Sequence, residues 1–301
     1  MGPRKTARAA AILAVSTAFL LPLSACSPSQ PAAGTAVNGE IRFGLAPAED
    51  SATVLTKFTP FIDYLGESTG MTIDPFVGAD YTAVVAALNA GHLDAAWFGP
   101  SEYVLASQEV SGGVEAFASA VQDEGTVKYR TSFIVRTDSG IDGPEDFEGA
   151  TVAFTDPAST SGHVFGRYSL LEAGYDPDAM FSQIIYSGSH DASLLSLING
   201  QVEVAAISSR LLPGFIESGM ADSDEITVVF ESAEIPADPL VFRSDLPEEQ
   251  KQKLRDSLLS GDKEIATSLS GTGFAGFTGV DDSSYDVVRN AYKAAGLEPK
   301  L

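Results

Sequence analysis

The chain has 301 residues, with 41 Asp or Glu against 18 Lys or Arg and a formal net charge of −23. That balance excludes nucleic acid as a partner, because its binders need a basic face to displace counterions, and it excludes electrostatic docking on anionic lipid. A hydrophobic fraction of 44% supports a large core, and a single cysteine leaves no intramolecular disulfide and no thiolate metal cluster.

In chain order, Arg4, Lys5 and Arg8 precede an apolar run from Ala9 to Leu21, followed by Leu23-Ser24-Ala25-Cys26. A basic start, an apolar run short for a membrane span and small residues before a cut describe a secretory signal over residues 1–25. Its end looks like a bacterial lipobox, so Cys26 is the expected lipidation site and the protein is expected on the extracytoplasmic face of the cell membrane, lipid-anchored. A plain signal peptide with an incidental cysteine is the alternative. Losing this segment with its cations makes the net charge more negative still. Residues 26–39, uncharged and rich in Pro, Ser, Gly and Ala, read as a flexible tether.

From Glu40 the pattern alternates. Ile41–Leu45 predicts a strand, and Thr53–Glu67 a helix with Val54, Phe58, Phe61, Ile62 and Leu65 on one face and a kink at Pro60. Met71–Val77 is the next strand. Asp80 caps a helix with the stripe Tyr81, Val84, Val85 and Leu88, stopped by Gly91. Leu93–Phe98 is a strand, Gly99-Pro100-Ser101 opens a helix, and Val114–Val121 and Lys128–Val135 are further strands. A second series follows Gly149: strands Thr151–Thr155, Gln183–Tyr186 and Val202–Ile207, interleaved with helices Ser161–Ala173, Asp191–Asn199 and Leu211–Ser218. Ile226–Phe230 and Leu240–Phe242 are strands, and mostly helix is expected from Pro247. The alternation predicts an α/β fold with mostly parallel sheets.

Polar residues gather where strands end. Thr151–Thr155 leads into Asp156-Pro157-Ala158-Ser159-Thr160-Ser161-Gly162, Gln183–Tyr186 into Ser187-Gly188-Ser189-His190, and Val202–Ile207 into Ser208-Ser209-Arg210. Ligands of open α/β sheets sit at the carboxyl ends of strands, and each turn opens a helix whose free N–H groups favour an anion. Each turn alone also reads as ordinary helix capping; His92 reads as a turn residue, His163 as lying just inside its helix, and Trp97-Phe98 as strand-end core.

Four segments together carry a resemblance: Asp80-Tyr81, Ala96-Trp97-Phe98-Gly99-Pro100-Ser101, Asp156 to Gly162, and Gly188-Ser189-His190; Ile235-Pro236-Ala237-Asp238-Pro239 adds a fifth. Over Ile41 to Lys293 the chain resembles the substrate-binding proteins of phosphate, phosphite and phosphonate ABC transporters. The resemblance implies a two-lobed type II periplasmic-binding-protein fold with the ligand in the interlobe cleft. Lobe 1 is expected over residues 40–136 plus 243–301 and lobe 2 over 137–242, with crossings near Ser132–Thr137 and Asp238–Arg243 and closure by hinge motion. It implies that Ser159, Thr160 and Ser161 hold the ligand oxygens, that His190 contacts the anion, that Tyr81 faces it from the other lobe, and that Trp97 and Phe98 form an aromatic pair in which Phe98 lacks a hydroxyl. Asp238 matches an acidic ligand contact. Arg210 departs from the pattern, standing where members that bind aminoalkylphosphonates carry a glutamate for the ammonium. Contact with the ligand, a pair with Asp238 across the cleft, and solvent exposure all stay open for it.

The function expected is that of a non-enzymatic extracytoplasmic lipoprotein capturing a small phosphorus oxyanion, monomeric, without cofactor or metal, and partnered by an ABC transporter permease. A sulfonate or other small organic anion is the alternative ligand. Hydrolase chemistry is the weaker reading, since Ser189-His190-Asp191 are adjacent in the chain and point away from one another, so they make no relay. Metal uptake finds only three histidines, without ligand spacing.

Overall fold

The computed structural model describes residues 39–122 and 125–301; the expected signal segment, Cys26 and nearly all of the tether lie outside the described residues. The chain begins with β1 (Glu40–Leu45), α1 (Ser51–Thr69), β2 (Thr72–Val77), α2 (Tyr81–Asn89), β3 (Ala95–Trp97), α3 (Pro100–Glu109) and β4 (Val114–Gln122). It continues through β5 (Lys128–Tyr129), β6 (Thr131–Arg136), β7 (Thr151–Phe154), a π turn (Thr160–Val164), α4 (Phe165–Glu172), α5 (Pro177–Met180), β8 (Gln183–Tyr186), α6 (His190–Ile198), β9 (Val204–Ser208), α7 (Leu212–Glu217) and β10 (Ile226–Glu231). It ends with β11 (Ile235–Pro236), β12 (Pro239–Arg243), α8 (Glu248–Leu259), α9 (Lys263–Ser268), β13 (Phe274–Thr278) and α10 (Asp286–Ala294).

Local chemistry explains the early elements. Asp50 accepts the Ala52 and Thr53 N–H groups and starts α1, and Asp80 accepts that of Ala83 and starts α2. The stripe Tyr81, Val84, Val85 and Leu88 is buried as its spacing requires. Pro75 sits within β2, which is tolerated because β2 is an edge strand.

Two mixed sheets result, ordered β13-β4-β12-β3-β1-β2 and β10-β6-β9-β7-β8, with β5 and β11 pairing as a short third ladder. Four clusters of buried apolar side chains cover their faces. The expectation of mostly parallel pairing is corrected: β1–β2, β1–β3, β7–β8 and β7–β9 are parallel, but every ladder made by β4, β6, β10, β12 and β13 is antiparallel. The chain passes from one sheet to the other twice, and β6 and β12, the strands it forms on arrival, run against their neighbours.

The expected crossings and the boundaries at 136 and 242 are also corrected. Thr131–Arg136 pairs wholly in the second sheet, and Pro239–Arg243 wholly in the first. The passages lie earlier, between Gln122 and Thr131 and between Glu231 and Pro239, where Tyr129 pairs with Ile235. The apolar run 128–135 is therefore two strands broken at Arg130. The C-terminal region contains β13, paired on β4, which the helical expectation from Pro247 missed.

Candidate ligand-binding cavity

The three polar turns do meet, and hydrogen bonds explain how. After β7, Asp156 accepts the Ala158 N–H at 2.7 Å and Ser159 Oγ accepts the Gly162 N–H at 3.1 Å, while Gly162 O takes the Thr155 N–H at 2.9 Å. A Cβ at Gly162 would overlap Thr155 and Ser159, so the fold-back needs glycine for its close approach. Ser159, Thr160 and Ser161 are thereby buried. Ser159 does act as a helix cap, as the plain reading has it. Thr160 does not: its Oγ1 accepts the Ser101 N–H of α3, from the first sheet's side, at 2.8 Å.

His190 lies where three strand ends converge. Its Nδ1 accepts the Ser208 N–H at 3.2 Å and lies 3.1 Å from Thr155 Oγ1. The ring proton therefore belongs on Nε2. Burial, and then the Arg210 guanidinium, push the imidazole down to about 3, so it is a neutral donor at working pH. Ser189 Oγ instead donates to Asp191, which also accepts the Asp50 N–H, so these three neighbours form no relay.

Arg210 is not a solvent residue. Its side chain and that of Asp238 are each 11% exposed and bonded at 3.1 Å, and its guanidinium lies 4.3 Å from the centre of the Phe274 ring. Burial pushes the Asp238 carboxyl up, while Arg210 and the Tyr129 hydroxyl pull it back. On the first sheet's side, Trp97 packs edge-on against Phe58 and Phe61 and tilts over Phe274 at 4.9 Å, and Phe98 is fully buried.

Tyr81, Trp97, Phe98, Ser159, Thr160, Ser161, His190, Arg210 and Asp238 all line one cavity. Its volume is about 70 Å³. One water needs about 10–15 Å³ of such space, so the cavity takes about five to seven water-sized atoms. Sequence reasoning missed Tyr129, Glu102, Phe274 and the Lys57–Glu49 pair, which line it too. Glu102 was legible only as a helix-start acid, and Tyr129 and Phe274 carried no local signal. Four buried polar atoms on the wall have no protein partner: Tyr81 Oη, Glu102 Oε1, Arg210 Nε and Asp238 Oδ1. Buried polar atoms are nearly always paired, so these four call for polar partners, water or ligand, from the cavity they line.

The family described as "ABC transporter, phosphonate, periplasmic substrate-binding protein" matches residues 43–285. The chain is 29% identical over 301 residues to the phosphate-import protein PhnD of Mycolicibacterium smegmatis, covering 91% of this chain and 92% of that one. It is 27% identical over 273 residues to the phosphonates-binding periplasmic protein of Escherichia coli, covering 89% and 80%. Among solved structures, a binding protein component of an ABC phosphonate transporter from Pseudomonas aeruginosa superposes with a TM-score of 0.79 at 27% identity, covering 85% of this chain and 86% of that one.

Proposed function

The chain belongs to the periplasmic substrate-binding family of phosphonate ABC transporters, with the type II binding-protein fold, and we propose that its cavity captures one compact phosphorus oxyanion: phosphite, phosphate or a small phosphonate. Its relatives are transport binding proteins rather than enzymes, one named for phosphate import and one for phosphonates. The observation that carries the reading is the cavity itself: hydroxyls, a neutral imidazole donor and partnerless buried atoms around space for about five to seven water-sized atoms. Phosphite, with four heavy atoms, and phosphate or methylphosphonate, with five, fit within that space.

The division of labour follows from donor chemistry. Ser159, Thr160, Ser161, Tyr81 and His190 Nε2–H supply hydrogen bonds to anionic oxygens, aided by the N-terminal end of α6. Trp97 and Phe98 accommodate a P–H or P–CH₃ group. Asp238 Oδ1 is an acceptor, which a ligand carrying an acidic proton satisfies and a fully ionised sulfate or sulfonate does not. The two sheets, with the helices on them, act as lobes that close about the passages at 125–130 and 232–238 and present the loaded protein to the permease. Cys26 is the lipid anchor, supported by its place as the sole cysteine directly after Leu-Ser-Ala.

Calorimetry with phosphite, phosphate, methylphosphonate, 2-aminoethylphosphonate and sulfate tests the ligand. One or more of the three compact phosphorus anions should bind well ahead of the other two. Preference for sulfate, or for the aminophosphonate, overturns it.

A further inference from the structure

Glu102 is fully buried, 0% exposed, yet forms part of the cavity wall. Its Oε2 accepts the Gly99 N–H at 2.8 Å, the ordinary work of an acid in the first turn of a helix. Capping leaves Oε1 unexplained, and Oε1 has no partner in the protein. The titratable groups that face Glu102 offer no cation: Tyr81 on α2, Tyr292 on α10, Asp156 after β7 and Asp238 before β12. The guanidinium of Arg210, on the same cavity, is engaged by Asp238. Burial pushes the Glu102 carboxyl well above the ordinary range; the Gly99 N–H opposes this, and Asp156 and Asp238 add to it.

We propose that Glu102 is a ligand-contacting residue in its neutral acid form, with the Oε1 hydroxyl donating a hydrogen bond to an oxygen of the captured anion. The proposal rests on the oxyanion reading above. A carboxylate in a dry cavity repels an oxyanion, whereas the neutral acid converts the same atom into a donor. Glu102 is thus the counterpart of Asp238: one side chain gives a proton to the ligand's hydrogen-bond pattern and the other receives one.

Two variants separate the possibilities. Glu102→Gln is the isostere of the neutral acid, its amide oxygen accepting the Gly99 N–H and its NH₂ donating in place of the hydroxyl. Glu102→Leu fills the space without a donor. Calorimetry at neutral pH, with phosphite, phosphate and methylphosphonate each as probe, should show near-native affinity for Glu102→Gln and a loss of about ten- to a hundredfold for Glu102→Leu. Infrared difference spectra, native minus Glu102→Gln, should contain the C=O stretch of a protonated carboxyl, and adding the tightest of those anions should shift it. Equal losses in both variants would make Oε1 an acceptor, and native affinity in both would make Glu102 purely structural; either result overturns the proposal. So does a missing acid band, or one that the anion leaves unmoved, and this arm stands even where Glu102→Leu fails to fold. Failure of the native chain to bind any of the three anions brings down the oxyanion reading instead, which the acid band of the free protein distinguishes.

Discussion

Arg210 shows how much one side chain decides. The sequence placed a cation at a strand end; the fold seats it over Phe274 and bonds it to Asp238, with Nε left without a protein partner. The pair joins the end of the second sheet's β9 to the passage that leads into the first sheet, and on the two-lobed reading proposed above it forms as the cleft closes. Arg210→Glu sets two buried carboxylates against each other where an ion pair stood. Breaking such a pair costs about 3–5 kcal/mol, so affinity for the compact anion should fall by more than about a hundredfold in calorimetry. An unchanged affinity in a folded variant would mean that the pair contributes nothing to capture. Arg210→Lys keeps the charge but not the guanidinium over Phe274, and should fall between the two.

At the scale of elements, the start of α3 is capped from outside its own segment. Gly99 occupies the N-cap and has no side chain to offer, and the Ser101 N–H that a cap would take is bonded to Thr160 Oγ1 of the π turn. A Cβ at Gly99 would lie 3.1 Å from Thr160 Oγ1 and 3.2 Å from Glu102 Oε2, so a side chain there competes with both. The first turn of the helix is completed only when the π turn stands against it, so its cap is shared with a residue proposed above to hold the anion. Gly99→Ser gives α3 its own cap and should lower anion affinity while leaving thermal stability of the unliganded protein equal or higher. Thr160→Ala removes the shared hydroxyl and should lower affinity about ten- to a hundredfold. If affinity for both variants is native by calorimetry, the contact is incidental to capture.

At the scale of the whole molecule, buried histidines set the response to acid. His163 sits between Pro157 O and the Tyr186 hydroxyl, and burial pushes it down to about 4. The unfolded chain protonates such a ring near pH 6.5 and the folded chain does not, so this contribution is present above that pH and lost as pH falls toward 4. His190 acts with the same sign, while the raised Glu102, Asp156 and Asp238 act with the opposite one. A variant comparison isolates the histidine. Urea denaturation at pH 7 and pH 5 should show a loss of stability smaller by about 2 kcal/mol in His163→Gln than in the native chain, and equal losses would refute the assignment. Anchoring belongs to this scale as well. Cys26→Ala should move the protein from the membrane fraction to the soluble one with ligand affinity unchanged, and retention at the membrane would refute lipidation.

The alternation of strand and helix, the capping of α1 and α2 and the stripe of α2 were legible in the sequence, because each depends on residues within a turn or two of one another. So were the three polar turns, since the carboxyl ends of strands are where an α/β sheet leaves backbone donors free. Tertiary structure decided the rest. Lys128–Val135 is uniformly strand-like, yet it breaks at Arg130 because Tyr129 pairs with Ile235 while Thr131 pairs with Ser208, and no local signal separates two ladders. Phe274–Thr278, with its small Ala275 and Gly276, is a strand only because β4 offers it an edge. Antiparallel pairing came from the direction in which the chain re-enters each sheet. Periodicity along a chain reports which face of an element is buried, not which distant residue completes the burial, so Glu102, Tyr129 and Phe274 became cavity residues only when two sheets brought their walls together.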